Sequence, residues 1–170
     1  MGYKSLEACI EDLEKNGQLI RIHDEVDPYL EMASIQLRAY KNGAKAILFE
    51  KVKDSEFKAL SNLFGDIDRS RFLFRDTMEM VQNIALLKKD PLLALKSPLK
   101  YISTPKHLYN ALPKKVTKRS AKFLETTIDK LPQITCWKND GGPFITLPIV
   151  YTEDVETPGW TKSNMGMYRI

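Results

Sequence analysis

The sequence predicts an α/β (α+β) domain that is followed by further helices and then by a separate set of strands. Up to Gly65, segments with apolar residues at helical spacing alternate with continuous apolar segments, which are typical of strands covered on both faces. After Pro132 the pattern changes to short strands with hairpin-turn residues between them. The 170 residues are enough for one domain and part of a second.

The first helix is expected to begin after Ser5, which suits an N-cap, and to end at Gly17, which suits a left-handed C-terminal position. Residues 18–26 read as a strand. Asp27 and Pro28 then open a second helix as its cap and its first helical residue. The buried side of this helix is expected to consist of Leu30, Ala33, Leu37 and Tyr40.

Two strands and a series of helices are expected next. Residues 44–52 have a continuous apolar centre, and residues 57–65 form a second segment of the same kind. Helical spacing returns from Thr77. The pairs at residues 90–91 and 97–98, Asp-Pro and Ser-Pro, each predict a helix stop followed by a new cap.

The C-terminal part of the chain reads as three strands. Residues 133–137 and 143–152 flank the turn sequence "KNDGG", and residues 164–170 are expected to be extended. The stretch "EDVETPGW" is expected to be a loop. Pro148 has no N–H to donate to a ladder, so its strand is expected to lie at an edge or to carry a bulge.

Composition and cysteine usage are ordinary for a soluble cytoplasmic protein. The hydrophobic fraction is 43% and the charged fraction 28%, and no apolar run approaches the roughly 18 residues that a membrane span requires. Acidic residues near the N-terminus argue against a signal peptide. Cys9 and Cys136 are far apart, which favours a reducing compartment, and Cys9 is expected to pack in the core. His23 and His107 are too isolated for a zinc site.

Residues 96–130 carry nine basic and two acidic side chains, a local net charge of +7 against +4 for the whole chain. A nucleic-acid site would need interleaved aromatic residues or a recognised motif, so we expect a solvated linker and no nucleic-acid partner. Pro105 and Pro113 support a linker and place a boundary near residue 113. The expected regions are an α/β domain at 1–112, a basic helical linker at 113–131 and a strand region at 132–170.

The final segment, residues 164–170, carries the side chains best suited to ligand chemistry. A period of two places Asn164, Gly166 and Tyr168 on one face and Met165, Met167 and Arg169 on the other. Asn164 offers a carbonyl oxygen suited to a hard divalent cation, and Arg169 offers a planar fork suited to a phosphate or carboxylate. Gly166 allows close approach to the backbone. On these residues alone, an ordinary strand with one exposed arginine is the alternative.

Over nearly its whole length the chain resembles the UbiD family of prenylated-flavin-dependent decarboxylases. The matching stretches, in order, are "LEACIEDLEKNGQLIRIHDEVDP", "LEMA", "AILFEKV", "NLFG", "LPQITCWKNDGGPFITLPIV" and "NMGMYR". The last of these is the most specific. The resemblance implies that the α/β domain precedes a split β-barrel that binds prenylated FMN, and that residues 132–170 are the first strands of this barrel.

The resemblance also implies roles for individual residues. Asn164 would ligate a divalent metal, manganese in most of the family, that bridges to the flavin phosphate, and potassium would be a further cation. Met167, Tyr168 and Arg169 would line the prenylated-FMN site. No catalytic residue is assigned, because the family's proton-handling residues are expected downstream of Ile170. We therefore expect the chain to be about the first third of a longer enzyme and to be inactive alone.

The implied reaction is the reversible decarboxylation of an aromatic or α,β-unsaturated carboxylic acid, in ubiquinone or menaquinone biosynthesis or in aromatic acid metabolism. The complete enzyme is expected to be a homo-oligomer without an integral membrane segment. Two alternatives stay open at this point. One is a small subunit that completes its site with a separate chain, and the other is a non-enzymatic basic binding module.

Overall fold

The computed structural model describes residues 2–43, 45–111 and 125–170. Helix α1 (Leu6–Lys15) begins as predicted, since the Ser5 side chain accepts a hydrogen bond from the Ala8 N–H at 3.2 Å. Gly17 follows the helix with a φ of +66°, the left-handed conformation expected there. Strand β1 (Leu19–Val26) comes next, also as predicted.

The N-terminal sheet contains β1, β2 (Ala46–Val52) and β3 (Ala59–Ser61) in the order β1-β2-β3. β2 runs parallel to β1 and antiparallel to β3, so it is the central strand. Its first four residues, Ala46, Ile47, Leu48 and Phe49, are buried, which confirms the prediction of a strand covered on both faces.

β3 is shorter than the predicted segment at 57–65. The chain leaves the sheet at Asn62, which has a φ of +58°. The guanidinium of the buried Arg69 donates to the carbonyl oxygens of Asn62 at 2.5 Å and Leu63 at 2.9 Å. These carbonyls are therefore bonded to a side chain instead of a neighbouring strand.

Helix α2 (Glu31–Lys41) begins later than predicted, and Asp27 is not its cap. The Asp27 carboxylate instead accepts a hydrogen bond from the Tyr29 N–H at 2.8 Å, forming a turn before the helix. Leu30 precedes the first helical residue with a φ of +65° and makes no side-chain cap. The expectation of a helix opening at Asp27 and Pro28 was therefore wrong, because the aspartate side chain closes a turn there.

The buried side of α2 also differs from the prediction. Met32 is buried, and Ile35 and Ala39 pack against the same core cluster. Leu37 and Tyr40 were expected to be buried, but both are 56% exposed. The helix carries two apolar stripes, and the stripe that contains Met32 packs against the sheet.

Among the residues that the structure describes, the core consists of two clusters that share β2. The first cluster joins α2 to the sheet and contains Val26, Met32, Ile47, Phe49 and Val52. The second joins α1 and α3 to the sheet and contains Cys9, Leu13, Ala46 and Leu73. Since neighbouring residues of a strand point to opposite faces, these helices cover the two faces of the sheet. Cys9 is a core residue, as predicted, and burial raises the pKa of its thiol.

In the described part of the chain, five α-helices follow the sheet. They are α3 (Ile67–Leu73), α4 (Met78–Lys89), α5 (Leu93–Lys96), α6 (Pro98–Tyr101) and α7 (Thr104–Ala111). α3 was not predicted, although Asp66 caps it by accepting from the Asp68 N–H at 3.1 Å. The helix from Thr77 and the stops before Pro91 and Pro98 are confirmed. The predicted new caps were wrong, because α5 begins after Leu92 and the Ser97 side chain makes no cap hydrogen bond to α6.

Pro105 does not mark a linker, because it lies in the first turn of α7. A proline is tolerated there, since its missing N–H has no partner within the helix. The predicted boundary near residue 113 and five of the nine basic residues lie within 112–124, outside the described residues.

The C-terminal region contains an antiparallel ribbon of β4 (Ile149–Glu153) and β5 (Ser163–Met167), called the ribbon below. The segment predicted as one strand at 143–152 is broken at Leu147, whose φ is +63°. Before the break, Phe144 pairs with Ile134 and Ile145 pairs with Ile170. The predicted hairpin is thus present as a single bridge, and the described strands form no closed barrel.

Among the described residues, no helix combines the length and the apolar character that crossing a bilayer requires.

Candidate functional site

Asn164 and Tyr168 meet on one face of the ribbon. The Asn164 Nδ2 donates to the Tyr168 hydroxyl at 3.1 Å. Gly166 lies between them, and a Cβ placed on it would be 2.7 Å from the Tyr168 Cε2 atom. The tyrosine ring therefore lies directly over the Gly166 backbone. The prediction that these three residues share one face is confirmed, and the group that approaches Gly166 is the ring of Tyr168.

Met167 lies on the opposite face of the ribbon. It pairs with Ile149, and Met165 pairs with Tyr151, so these four side chains form one surface. All four are exposed, from 49% for Tyr151 to 69% for Met165. The structure therefore does not bring Met167 to Asn164 and Tyr168. We call this surface the apolar ribbon face.

Arg169 packs against the hairpin that precedes the ribbon. Its Cζ atom lies 3.9 Å from the centroid of the Phe144 ring, a cation–π contact. The neighbouring Ile170 holds this geometry, because it pairs with Ile145 through bonds of 2.7 and 3.2 Å. Arg169 remains exposed, so its guanidinium is both positioned and accessible. Sequence reasoning missed Phe144, since the contact depends on the register between segments far apart in the chain.

Cys136 lies near this arginine, but it is not an activated thiol. Burial raises its pKa, and the Asp140 carboxylate adds to this effect, while Arg169 offsets part of it. Asp140 also closes the turn by accepting hydrogen bonds from the backbone N–H groups of Cys136 and Trp137, both at 3.0 Å. The thiol is therefore held in its protonated form, as expected of a structural cysteine.

The acidic loop between β4 and β5 is organised by Asp154. One carboxylate oxygen of Asp154 accepts bonds from the Thr157 N–H at 2.7 Å, the Thr157 hydroxyl at 3.0 Å and the Glu156 N–H at 3.0 Å. The backbone bond from Thr157 is the main reason why the pKa of Asp154 lies below its usual range. Asp154 is thus an ionised structural residue. Glu153 is likewise engaged, accepting from the Tyr151 hydroxyl at 2.5 Å.

Asn164 supplies one metal ligand of the kind that manganese binds, an amide carbonyl oxygen. Within residues 2–43, 45–111 and 125–170 there is no cluster of three or more His, Cys, Asp or Glu side chains that could hold a metal ion. The donor chemistry of Asn164 fits the expected metal.

Among the described residues, the two larger open cavities lie away from the face that Asn164 shares with Tyr168. One, of about 510 Å³, lies where Pro28 and Tyr29 approach Ser55, Thr135 and Pro143. The other is an apolar groove of about 540 Å³ between α2 and Trp137. The exposed Leu37 and Tyr40 line this groove. Neither cavity includes a residue of β5.

Two family models match the chain. Residues 10–88 match the N-terminal domain of 3-octaprenyl-4-hydroxybenzoate carboxy-lyase, and residues 111–170 match the Rift-related domain of the same enzyme family. The chain belongs to the UbiD family. The resemblance seen in the sequence is therefore confirmed.

Two curated relatives match almost the whole length of this chain, but the matched region is only part of each relative. An uncharacterized protein of Chlamydia trachomatis serovar D is 39% identical over 172 residues, covering 98% of this chain and 29% of the relative. An uncharacterized protein of Archaeoglobus fulgidus is 34% identical over 174 residues, covering 100% of this chain and 35% of the relative. The chain thus spans about a third of the length of the curated relatives it matches.

Solved UbiD-class structures share the fold. The closed form of vanillic acid decarboxylase from Sedimentibacter hydroxybenzoicus matches with a TM-score of 0.66 and 27% identity, covering 99% of this chain and 35% of that chain. An evolved dimeric form of HmfF from Pelotomaculum thermopropionicum, solved in complex with prFMN, matches with a TM-score of 0.63 and 25% identity, covering 98% and 35%. The mixed α/β fold with small sheets is therefore that of UbiD-class decarboxylases.

Proposed function

We propose that this chain is the N-terminal part of a carboxy-lyase that reversibly decarboxylates an aromatic or α,β-unsaturated carboxylic acid with prenylated FMN. The observation that carries the proposal is the joint face of Asn164, Gly166 and Tyr168 in a chain matched by both UbiD models. The pathways proposed for it are ubiquinone or menaquinone biosynthesis and aromatic acid metabolism.

When bound, prenylated FMN would supply the electron sink that lets carbon dioxide leave, and the protein would bind, orient and protonate. We assign the Asn164 carbonyl oxygen to a divalent manganese ion, with potassium as a further cation. Arg169 would bind a flavin phosphate or a substrate carboxylate through its planar fork. Tyr168 would line the flavin site from the face that it shares with Asn164. Met167 remains a prediction of the sequence for the same site.

The acid that protonates the product carbon is proposed to lie in another part of the longer protein. Asp154 is committed to the backbone of its loop and Glu153 to the Tyr151 hydroxyl. A positioned acid or base typically contributes about 10²- to 10⁴-fold to the rate. We therefore expect the 170-residue chain to be inactive even with prenylated FMN and manganese.

The proposed organisation places an α/β domain at 1–112, a basic linker at 113–131 and the first strands of the split barrel at 132–170. The exposed apolar ribbon face supports the last assignment, since a barrel wall needs a partner on such a face. The complete enzyme is proposed to be a cytoplasmic homo-oligomer that binds a small-molecule acid and no nucleic acid.

The test uses the chain joined to its natural downstream sequence and measures flavin absorbance retained after desalting across a manganese titration. Asn164→Ala should lose flavin and recover part of it with excess manganese, by mass action. Arg169→Ala should weaken retention by about 10- to 150-fold without rescue, because a hydrogen bond to a charged group is lost. Arg169→Lys should fall between arginine and alanine.

Arg38→Ala is the matched control, since Arg38 is an exposed arginine on α2. Met167→Ala tests whether the opposite face of the ribbon contributes. Full cofactor retention in both Asn164→Ala and Arg169→Ala would overturn the proposed function.

A further inference from the structure

The contact between Asn164 and Tyr168 decides which end of the Asn164 amide faces outward. An amide has a donor end and an acceptor end, and only the carbonyl oxygen can ligate a cation. Nδ2 donates to the Tyr168 hydroxyl at 3.1 Å, so this bond occupies the donor end. The Oδ1 atom is then turned away from the tyrosine hydroxyl.

The position of the Tyr168 hydroxyl depends in turn on Gly166. A Cβ on Gly166 would lie 2.7 Å from Cε2, 3.0 Å from Cζ and 3.0 Å from the hydroxyl oxygen of Tyr168. Contacts this close require the ring to move. The backbone beneath the ring is fixed by the ladder, in which Gly166 pairs with Val150 and Asn164 with Thr152.

We propose that Tyr168 is a positioning residue that orients the Asn164 carbonyl oxygen toward a divalent cation, and that Gly166 is required because it leaves room for the tyrosine ring. This inference rests on the proposed function, which makes Asn164 a metal ligand. It gives Tyr168 a role through Asn164 in addition to contact with the flavin. It also explains why residue 166 is a glycine: the space above its backbone is filled by the Tyr168 ring and not by a ligand.

The expected effect is modest, because the contact is a single exposed hydrogen bond between neutral groups. Tyr168→Phe keeps the ring and removes the hydroxyl, so the apparent affinity for Mn²⁺ should fall by about 2- to 10-fold. Gly166→Ala displaces the ring and should weaken the affinity at least as much. Asn164→Ala removes the ligand itself.

The experiment uses the chain joined to its natural downstream sequence, without flavin, and Mn²⁺ alone, because Asn164 by itself supplies only one ligand. Paramagnetic broadening of the backbone amide signals of residues 163–168 is followed by NMR during a titration to millimolar metal. This readout detects weak binding and needs neither flavin nor turnover. The matched control is Tyr151→Phe, which removes a tyrosine hydroxyl from the opposite face of the ribbon and should leave the titration unchanged.

A second readout is independent of the metal. The two side-chain amide protons of Asn164 should shift toward the positions of a solvated asparagine in Tyr168→Phe. The unperturbed backbone amide positions of β5 in the same spectrum show that the ribbon is intact. If Gly166→Ala disrupts the ribbon, Tyr168→Phe still tests the proposal, because phenylalanine preserves the ring.

The possible outcomes distinguish the metal role of Asn164 from the positioning role of Tyr168. If the wild-type chain shows no broadening near β5, or if Asn164→Ala leaves the broadening unchanged, the metal role of Asn164 fails, and the positioning role fails with it. If Asn164→Ala abolishes the broadening but Tyr168→Phe titrates like the wild type, only the positioning role of Tyr168 is wrong. Broadening that weakens in Tyr168→Phe and is lost in Asn164→Ala supports both.

Discussion

The backbone N–H of Leu30 donates to the carbonyl oxygen of Thr135 at 2.9 Å, and the Thr135 N–H donates to the carbonyl oxygen of Pro28 at 3.1 Å. These bonds attach the segment after Pro132 to the turn that precedes α2. Thr135 is only 8% exposed, so its backbone N–H and C=O groups could not be fully hydrogen-bonded to water if these bonds were broken. The attachment joins the two parts of the chain that match separate family models.

Thr135→Pro should detach this segment. Proline removes the N–H that bonds to Pro28, and the loss of a buried hydrogen bond should lower the free energy of unfolding by about 1–3 kcal/mol. The Leu30 amide should then lose protection in hydrogen exchange. Thr135→Ala keeps both backbone bonds and is the control. Equal protection of Leu30 in the two variants would show that the attachment does not depend on these bonds.

Leu147→Gly should stabilise the protein. Leu147 has a φ of +63° and is 58% exposed, so glycine relieves a left-handed conformation that costs an ordinary residue about 1–2 kcal/mol. Glycine has more conformational entropy in the unfolded chain, and this lowers the free energy of unfolding by about 0.5–1 kcal/mol. The net expectation is a gain of up to about 1.5 kcal/mol in the free energy of unfolding, measured with a denaturant. Ile149→Gly, at an exposed position inside β4, should instead destabilise. A loss of stability in both variants would contradict the assignment of strain to Leu147.

Asp12 should make the fold acid-sensitive. Its carboxylate accepts a bond from the Tyr3 hydroxyl at 2.5 Å and one from Arg75 at 2.7 Å. The Tyr3 bond first, and the Arg75 bond second, lower the pKa of Asp12. A carboxyl group whose pKa is lower in the folded than in the unfolded state stabilises the fold above the unfolded pKa of about 3.9. That stabilisation is lost as the pH falls through the folded pKa.

Asp12→Asn should therefore be less stable than the wild type near neutral pH, by about 1 kcal/mol. The difference should shrink as the pH falls below about 4. Chemical unfolding at several pH values measures it. Glu11→Gln, at an exposed position on the same helix, serves as the comparison. A difference that stays constant with pH would mean that the charge of Asp12 contributes nothing.

The apolar ribbon face should drive association of the isolated chain. Ile149 and Met165 are 68% and 69% exposed on this face, and exposed apolar strands are typical association sites. The double variant Ile149→Lys with Met165→Lys should shift sedimentation toward monomer. Leu99→Lys changes an 84% exposed leucine on α6 and should not. If both variants sediment alike, another surface mediates association.

The parts of the fold that the sequence predicted correctly depend on short-range interactions. The Ser5 cap reaches only to Ala8, and Gly17 needs only its own left-handed backbone. The burial of β2 follows from an apolar run that would be costly to expose. The shared face of Asn164 and Tyr168 follows from strand periodicity. Each of these features is therefore contained in a few neighbouring residues.

The parts that were wrong or missed depend on contacts between distant residues. The Asp27 turn is reinforced by an ion pair between Asp27 and Lys53 at 2.9 Å. The choice between the two stripes of α2 is made by β2 and by Val26. The cation–π contact of Arg169 with Phe144 requires the pairing of Ile145 with Ile170. Ile145 lies before the break at Leu147, and Ile170 lies after it. No local pattern in the sequence contains these relationships.

The composition of the two core clusters has a consequence for synthesis of the protein. Every buried member of both clusters lies between Cys9 and Leu73. Because translation proceeds from the N-terminus and domains fold as units while it does, these residues leave the ribosome together, before the segment that contains Thr135 exists. The N-terminal layer can thus close around Phe49 co-translationally, and the later strands are added to a surface that has already formed.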